Sequence, residues 1–141
     1  MPIAAVPPAQ LVVLGHAIAG VSLGAARGTL TARLGKGVIV SSGKGSYGPF
    51  VVVRYARPAV TVTFVQGIAN VVSTSSKAYA TRAGIAVGST NARMRAAYGK
   101  RLRCGNFQIC TLGQALPGHA LTTFDLKDAR VSRIDVTAVL D

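Results

Sequence analysis

The chain has 141 residues, of which half are hydrophobic and 6% are aromatic. This length excludes several full-size domains and predicts one domain, or two half-size units that share an interface. Sixteen Lys and Arg oppose four Asp and no Glu, so the net charge is +12. Such a charge favours polyanionic partners, whereas the alternative interpretation is solubility charge or a basic bias of the source lineage.

The N-terminal segment, residues 1–19, is predicted to be extended. Met1–Leu14 is apolar but is interrupted by Pro7 and Pro8, and it lacks a basic n-region. It is too short to span a bilayer, so neither a transmembrane segment nor an export signal is predicted there. If the protein is secreted, we expect its native leader to have been replaced by Met1.

A stretch from Gly20 to Lys36 recurs 64 residues later, from Gly84 to Lys100. The matching pairs are Gly20/Gly84, Gly24/Gly88, Gly35/Gly99, Lys36/Lys100, Val21/Ile85, Leu23/Val87, Leu30/Met94 and Leu34/Tyr98. Recurrence at a fixed spacing predicts a tandem duplication. We place repeat 1 at residues 20–76 and repeat 2 at residues 77–141, and we expect them to bury a face against each other.

Each repeat begins with a predicted helix. In repeat 1, Leu23, Leu30 and Leu34 have helical spacing, and Gly35 suits the residue after a helix end. In repeat 2, Ser89 or Thr90 is expected to cap the first turn. The apolar stripe of this second helix is formed by Met94, Ala97 and Tyr98.

Strands are predicted to follow each helix, because β-branched residues cluster between turn signals. Residues 41–49 are predicted as a Gly/Ser-rich hairpin loop. Alternation of Val with Thr in residues 60–65 indicates a strand with one solvent-exposed face. The predicted strands begin at residue 38 and cover residues 50–55, 60–65, 70–75, 121–126 and 131–140. The fold class is therefore α+β: two tandem repeats, each a short helical segment packed on a three- to four-stranded antiparallel sheet.

The repeated unit resembles the SmpA/OmlA envelope-lipoprotein domain, with an apolar-x-x-Gly segment, a Gly at the helix end and a later apolar-Phe hairpin. The residues that carry the resemblance are Val21, Leu23, Gly24, Leu30, Leu34, Gly35 and Val62–Phe64, and Ile85, Val87, Gly88, Met94, Tyr98, Gly99 and Thr123–Phe124. A tandem of such units is similar to the beta-lactamase inhibitory protein family. The resemblance implies a bacterial, exported, non-enzymatic binding or scaffold module.

Cys104 and Cys110 flank a short loop that contains the turn-forming pair Gly105-Asn106. Their spacing suits a disulfide across a hairpin, which would indicate an oxidising, extracytoplasmic compartment. Two free cysteines in a cytosolic protein are the alternative. The spacing matches neither a zinc knuckle nor a CxxC redox site.

The candidate binding residues form two groups along the chain. The first combines cations with an aromatic ring, as a nucleic-acid surface does, and the alternative is a core aromatic beside solvated edge cations. The second is either an anion-binding face or an ordinary outer helix face. The first group is Lys44, Arg54, Tyr55 and Arg57, and the second is Arg93, Arg95, Lys100, Arg101 and Arg103.

No catalytic or metal-binding motif is predicted. Gly43–Gly48 spells GxGxxG, but Pro49 and a strand follow it where a dinucleotide site needs a helix. His16 and His119 have no carboxylate at ligand spacing. We therefore expect no enzyme, no cofactor and no metal, but a binding module for a protein partner or an anionic envelope polymer, with nucleic-acid binding as the alternative.

Overall fold

The structure is a computed structural model that describes residues 7–105 and 108–140. It is an α+β fold, mostly sheet, with two eight-residue helices, α1 (Arg27–Leu34) and α2 (Asn91–Tyr98). Short 3-10 turns cover Pro8–Gln10 and Gly99–Arg101. The strands are β1 (Val12–Val13), β2 (Ala17–Ile18), β3 (Val21–Ser22), β4 (Val38–Gly45), β5 (Gly48–Arg54), β6 (Thr61–Val65), β7 (Ile68–Thr74), β8 (Arg103–Cys104), β9 (Ile109–Gly113), β10 (Ala120–Lys127) and β11 (Arg130–Ala138).

The larger sheet has eight antiparallel strands in the order β4-β5-β6-β7-β11-β10-β9-β8. The sequence predicts a sheet of three to four strands in each repeat, whereas the structure has one sheet of eight strands. β7 and β11 pair from Val71↔Thr137 to Thr74↔Ile134 and join the two four-stranded meanders into one sheet. The pairing satisfies backbone groups that would otherwise form two exposed sheet edges.

One face of this sheet carries the hydrophobic core. A row of directly paired residues crosses six strands on that face, and every member is at most 4% exposed. The row is Val53, Val62, Val72, Val136, Thr122 and Leu112. Over it lie Leu30 of α1, Met94 of α2 and the small sheet β1-β2-β3, whose Ile18 and Val21 are fully buried. The helices therefore cover one face only.

The same backbone contacts recur in both halves of the chain. In the first half, hydrogen bonds join Gly24 N to Ala69 O (2.9 Å), Ala69 N to Ala25 O (2.8 Å) and Arg27 N to Gly67 O (2.8 Å). In the second half, they join Gly88 N to Val131 O (2.7 Å), Val131 N to Ser89 O (2.8 Å) and Asn91 N to Ala129 O (2.9 Å). Each set fixes the segment before a helix to the last hairpin of that half.

Several local boundaries differ from those predicted. Gly24 has φ +85° and lies before α1, which begins only at Arg27, so Leu23 is not helical. The predicted loop over residues 41–49 is mostly strand, because β4 and β5 pair down to Gly45↔Gly48. The predicted ends do occur at Gly35, whose φ is +89°, and at Thr90, whose Oγ1 accepts a hydrogen bond from Arg93 N at 3.1 Å.

The predicted disulfide between Cys104 and Cys110 is present. The two residues are direct partners on β8 and β9, and their Cα atoms are 4.0 Å apart. Asn106, named in the predicted turn, lies outside the described residues. Disulfides persist mainly in oxidising environments, so the bond is typical of an extracytoplasmic protein.

Candidate binding surface

The second face of the large sheet, which we call the open face, carries a continuous row of polar residues. Direct pairing across seven strands places the row members side by side on one face. They are Arg54, Thr61, Ser73, Asp135, Thr123, Thr111 and Arg103, which we call the hydroxyl row. Six strand spacings separate the two arginines, a distance of about 29 Å.

The carboxylate of the hydroxyl row, Asp135, forms an ion pair with Arg133 of the same strand, β11. Arg133 Nε lies 2.7 Å from Asp135 Oδ1, and Nη2 donates to Oδ2 at 3.1 Å. Burial raises the pKa of Asp135, and the hydrogen bond from Arg133 offsets part of that increase. The same hydrogen bond raises the pKa of Arg133. Burial is the larger effect on Asp135, because this residue is only 9% exposed, whereas half of the Arg133 side chain is exposed.

This pairing leaves positive charge at both ends of the hydroxyl row. Within residues 7–105 and 108–140 the Arg133–Asp135 contact is the one ion pair. Arg54 and Arg103 are exposed, and no carboxylate in the described part of the chain is bonded to either. The open face therefore offers short hydroxyl side chains between two free guanidinium groups.

A cleft of about 390 Å³ lies at the Arg54 end of the hydroxyl row. Arg54 and Arg133 line it together with Thr61, Ser73 and Ser76. Guanidinium groups bind carboxylates through two parallel N–H donors, and hydroxyl groups add donors at variable angles. The cleft is therefore suited to an anionic side chain or another small anionic group.

The first predicted group is divided between faces. Arg54 belongs to the open face, Lys44 to the edge strand β4, and Arg57 to the connection between β5 and β6. Tyr55 is only 2% exposed, so its ring has no free surface on which a base could stack.

The second predicted group lies mainly on α2 and the turn that follows. Arg93, Arg95, Lys100 and Arg101 are exposed there. Arg95 Nε donates to Asn91 Oδ1 at 3.1 Å, and the Arg101 guanidinium lies 5.9 Å from the Tyr98 ring centre. Of this group, only Arg103 lies on the open face. The nine predicted residues therefore do not form a single site.

Arg133, Asp135 and the Ser and Thr residues of the hydroxyl row are not among the binding residues predicted from the sequence. The available signal was the Val/Thr alternation in residues 60–65, which correctly indicated that Thr61 and Thr63 face away from the core. The alignment of Thr61 with Thr123 depends on the β7–β11 pairing, and no local pattern encodes that contact.

His16 and His119 adjoin residues that touch each other, because a Cβ on Gly15 would lie 3.6 Å from the Cβ of Ala120. His16 and His119 are both exposed, and the disulfide leaves no thiol at Cys104 or Cys110. Across the described ranges, no three His, Cys, Asp or Glu side chains are close enough to bind a metal ion.

Comparisons with known proteins give no relative. The chain matches no protein-family model, no curated protein and no solved structure. Among the described residues, no helix combines the length and hydrophobicity needed to cross a membrane. The open face therefore has to be interpreted from its own chemistry.

Proposed function

We propose that this protein is an exported, non-catalytic binding module that recognises an acidic protein partner through the open face of its sheet. The observation that carries the proposal is the hydroxyl row, with free Arg54 and Arg103 at its ends and its carboxylate already paired to Arg133. The disulfide supports the proposed export.

The side chains of the open face favour a protein partner. Ser, Thr and Val have few rotatable bonds, so ordering them on binding costs little conformational entropy. They are mounted on paired strands, which hold their spacing in the free protein. Arginine is enriched at the centres of protein interfaces, and bidentate pairing with carboxylates adds specificity.

We also propose that the open face arose by tandem duplication of one helix-plus-sheet unit. The recurrent hydrogen bonds before α1 and α2 and the repeated order of one helix and four strands support this origin. Residues 20–76 supply Arg54, Thr61 and Ser73 to the hydroxyl row, and residues 77–141 supply the remaining members. Two fused copies make a polar row longer than either copy contains.

The test is a charge-matched binding comparison. The probe is a fluorescent polyglutamate peptide, and the readout is anisotropy at about 150 mM salt. The double variant Arg54→Ala/Arg103→Ala should weaken binding about tenfold, whereas the control Arg93→Ala/Arg95→Ala on α2 should weaken it less than about threefold.

Two outcomes would contradict the proposal. Equal losses in the two double variants would indicate unspecific attraction to the net charge. A single-stranded oligonucleotide of matched charge that binds more tightly than polyglutamate, with a salt-resistant preference for base sequence, would indicate the nucleic-acid alternative.

A further inference from the structure

The strand β4 is a long, exposed edge of the large sheet, with one register shift between Ile39 and Ser41. It is eight residues long, all eight are exposed, and no described residue pairs with its outer side. The opposite edge strand, β8, has two residues and is cross-linked to β9 by the disulfide. Proteins usually shorten, cover or charge such edges, because unpaired N–H and C=O groups recruit further strands.

Apolar side chains make this edge unusual. Val38, Ile39 and Val40 are consecutive and are 54%, 56% and 47% exposed. Val38 pairs with Arg54 of the open face, whereas Ile39 pairs with Val53 of the core face. A further strand beside β4 would therefore cover apolar surface on both faces of the sheet.

The backbone geometry shows which groups of β4 are free. Pro49 O accepts a hydrogen bond from Gln66 N at 2.9 Å, so the backbone of Pro49 is directed towards β6 rather than β4. Lys44 is the β4 partner of Pro49, and its N–H and C=O must therefore point outwards. Because bonding alternates along an antiparallel pair, Ser42 also directs its N–H and C=O outwards.

The cationic side chains near β4 favour the docking of an acidic strand. Lys36 and Lys44 are exposed at its two ends, and Arg54 lies on the neighbouring strand. Asp135 is on the fourth strand away from β4, about 19 Å across the sheet. Its charge is screened at that distance, because the Debye length is about 8 Å at physiological salt. A second copy of β4 would bring only more cations.

We propose that β4 is a docking edge for an extended, acidic segment of a partner protein, which adds to the sheet as a ninth strand. Backbone hydrogen bonds to Ser42 and Lys44 would hold the segment in register. The apolar residues of an alternating segment all lie on one face of the sheet, where they would cover Ile39 on the core face, and its Asp or Glu side chains would lie on the open face beside Arg54. This edge shares Arg54 with the hydroxyl row, but docking to it rests on the backbone of β4 and does not depend on the function proposed for that row.

The experiment uses the full chain and a synthetic ten-residue peptide that alternates Val or Ile with Asp or Glu. The matched control peptide has the same sequence with alternate backbone amides N-methylated, so that it keeps the charge but cannot pair along one edge. We expect at least tenfold weaker binding of the control, and slowed amide hydrogen exchange at Ser42 and Lys44 only with the unmodified peptide.

Ser42→Pro is the diagnostic variant of the protein. Its lost N–H points outwards, so the substitution removes a docking donor without breaking a bond within the sheet. Ser42→Pro should reduce peptide binding at least tenfold, whereas Ser42→Thr, which keeps the N–H, should bind within about twofold of wild type. An unchanged melting temperature shows that both variants are folded.

Three results would overturn the proposal. They are equal binding of the two peptides, equal binding by Ser42→Pro and Ser42→Thr, and a peptide-free dimer that Ser42→Pro dissociates, since the edge would then belong to a second copy. Ser42→Pro should leave the polyglutamate affinity of the open face unchanged. Failure of the edge proposal is therefore distinguishable from failure of the open-face proposal.

Discussion

Arg133 holds Asp135 in the middle of the open face through two hydrogen bonds, from Nε to Oδ1 at 2.7 Å and from Nη2 to Oδ2 at 3.1 Å. The two residues lie two positions apart on β11, so their side chains share a face. A carboxylate that is only 9% exposed would be costly without this partner. This ion pair neutralises the acidic charge of the hydroxyl row and leaves Arg54 and Arg103 available for a ligand.

The titration of Asp135 should lower stability as the pH rises. Burial raises its folded-state pKa above the ordinary value of about 3.9, despite the partial offset by Arg133. Between those two values the folded state binds more protons than the unfolded state, so the free energy of unfolding falls with increasing pH. Asp135→Asn lacks this fall.

Urea unfolding of wild type and of Asp135→Asn between about pH 3 and about pH 7 measures this pH dependence of stability. We expect the free energy of unfolding of wild type minus that of Asp135→Asn to decrease across this range. An increase would mean that the contact with Arg133 outweighs burial, which would reverse the direction given for the pKa of Asp135. Unchanged denaturant slopes in the two proteins provide the control.

The two helices should respond oppositely to exchange of their capping residues. Thr90 Oγ1 accepts a hydrogen bond from Arg93 N, whereas Ala26 occupies the same position before α1 and has no side-chain acceptor. Thr90→Ala should lower the free energy of unfolding by about 1 kcal/mol, and Ala26→Thr should raise it by up to about 1 kcal/mol. Chemical denaturation measures both changes. A loss of stability in Ala26→Thr would show that α1 does not begin as described.

A second pair of substitutions with opposite effects on stability is expected in the turns of the β6–β7 and β10–β11 hairpins. Gly67 and Ala129 are the second turn residues, with φ of +79° and +61°. Positive φ costs a residue with a Cβ about 1 kcal/mol, and a Cβ at Gly67 would meet no atom within 4 Å. Ala129→Gly should therefore stabilise the protein by about 1 kcal/mol, and Gly67→Ala should destabilise it by a similar amount. If thermal unfolding shows both variants shifted in one direction, the equivalence of the two turns is refuted.

Reduction of the Cys104–Cys110 disulfide should destabilise the protein, and this removes the cross-link without any substitution in the chain. Cys104 and Cys110 are six positions apart, and closing so short a loop is worth about 2 kcal/mol in the chain-entropy description. We expect dithiothreitol to lower the free energy of unfolding of wild type by about this amount. Cys104→Ala/Cys110→Ala should be insensitive to the reductant, because the chain has only two cysteines. Insensitivity of wild type would contradict a stabilising cross-link.

Local structure was the part most accessible from the sequence. Gly35 after α1, Thr90 before α2 and the Cys104–Cys110 bond depend on neighbours within a few positions, and each was predicted. The wet face of residues 60–65 followed from alternation, because successive strand residues point to opposite faces. The binding surface was less accessible. Arg54 and Arg103 were selected, but their location on one face and the burial of Tyr55 were not.

The sequence by itself determined the α+β composition, the recurring helix and strand segments, the cross-link and the large positive charge. Only the tertiary structure decided that β7 and β11 pair, and that Thr61, Ser73, Asp135 and Thr123 consequently lie in one row. The physical reason is that alternation and capping act over a few residues, whereas the β7–β11 pairing joins residues from Thr74↔Ile134 to Val71↔Thr137, which are far apart in sequence. The register between halves depends on how both apolar faces fit one shared core.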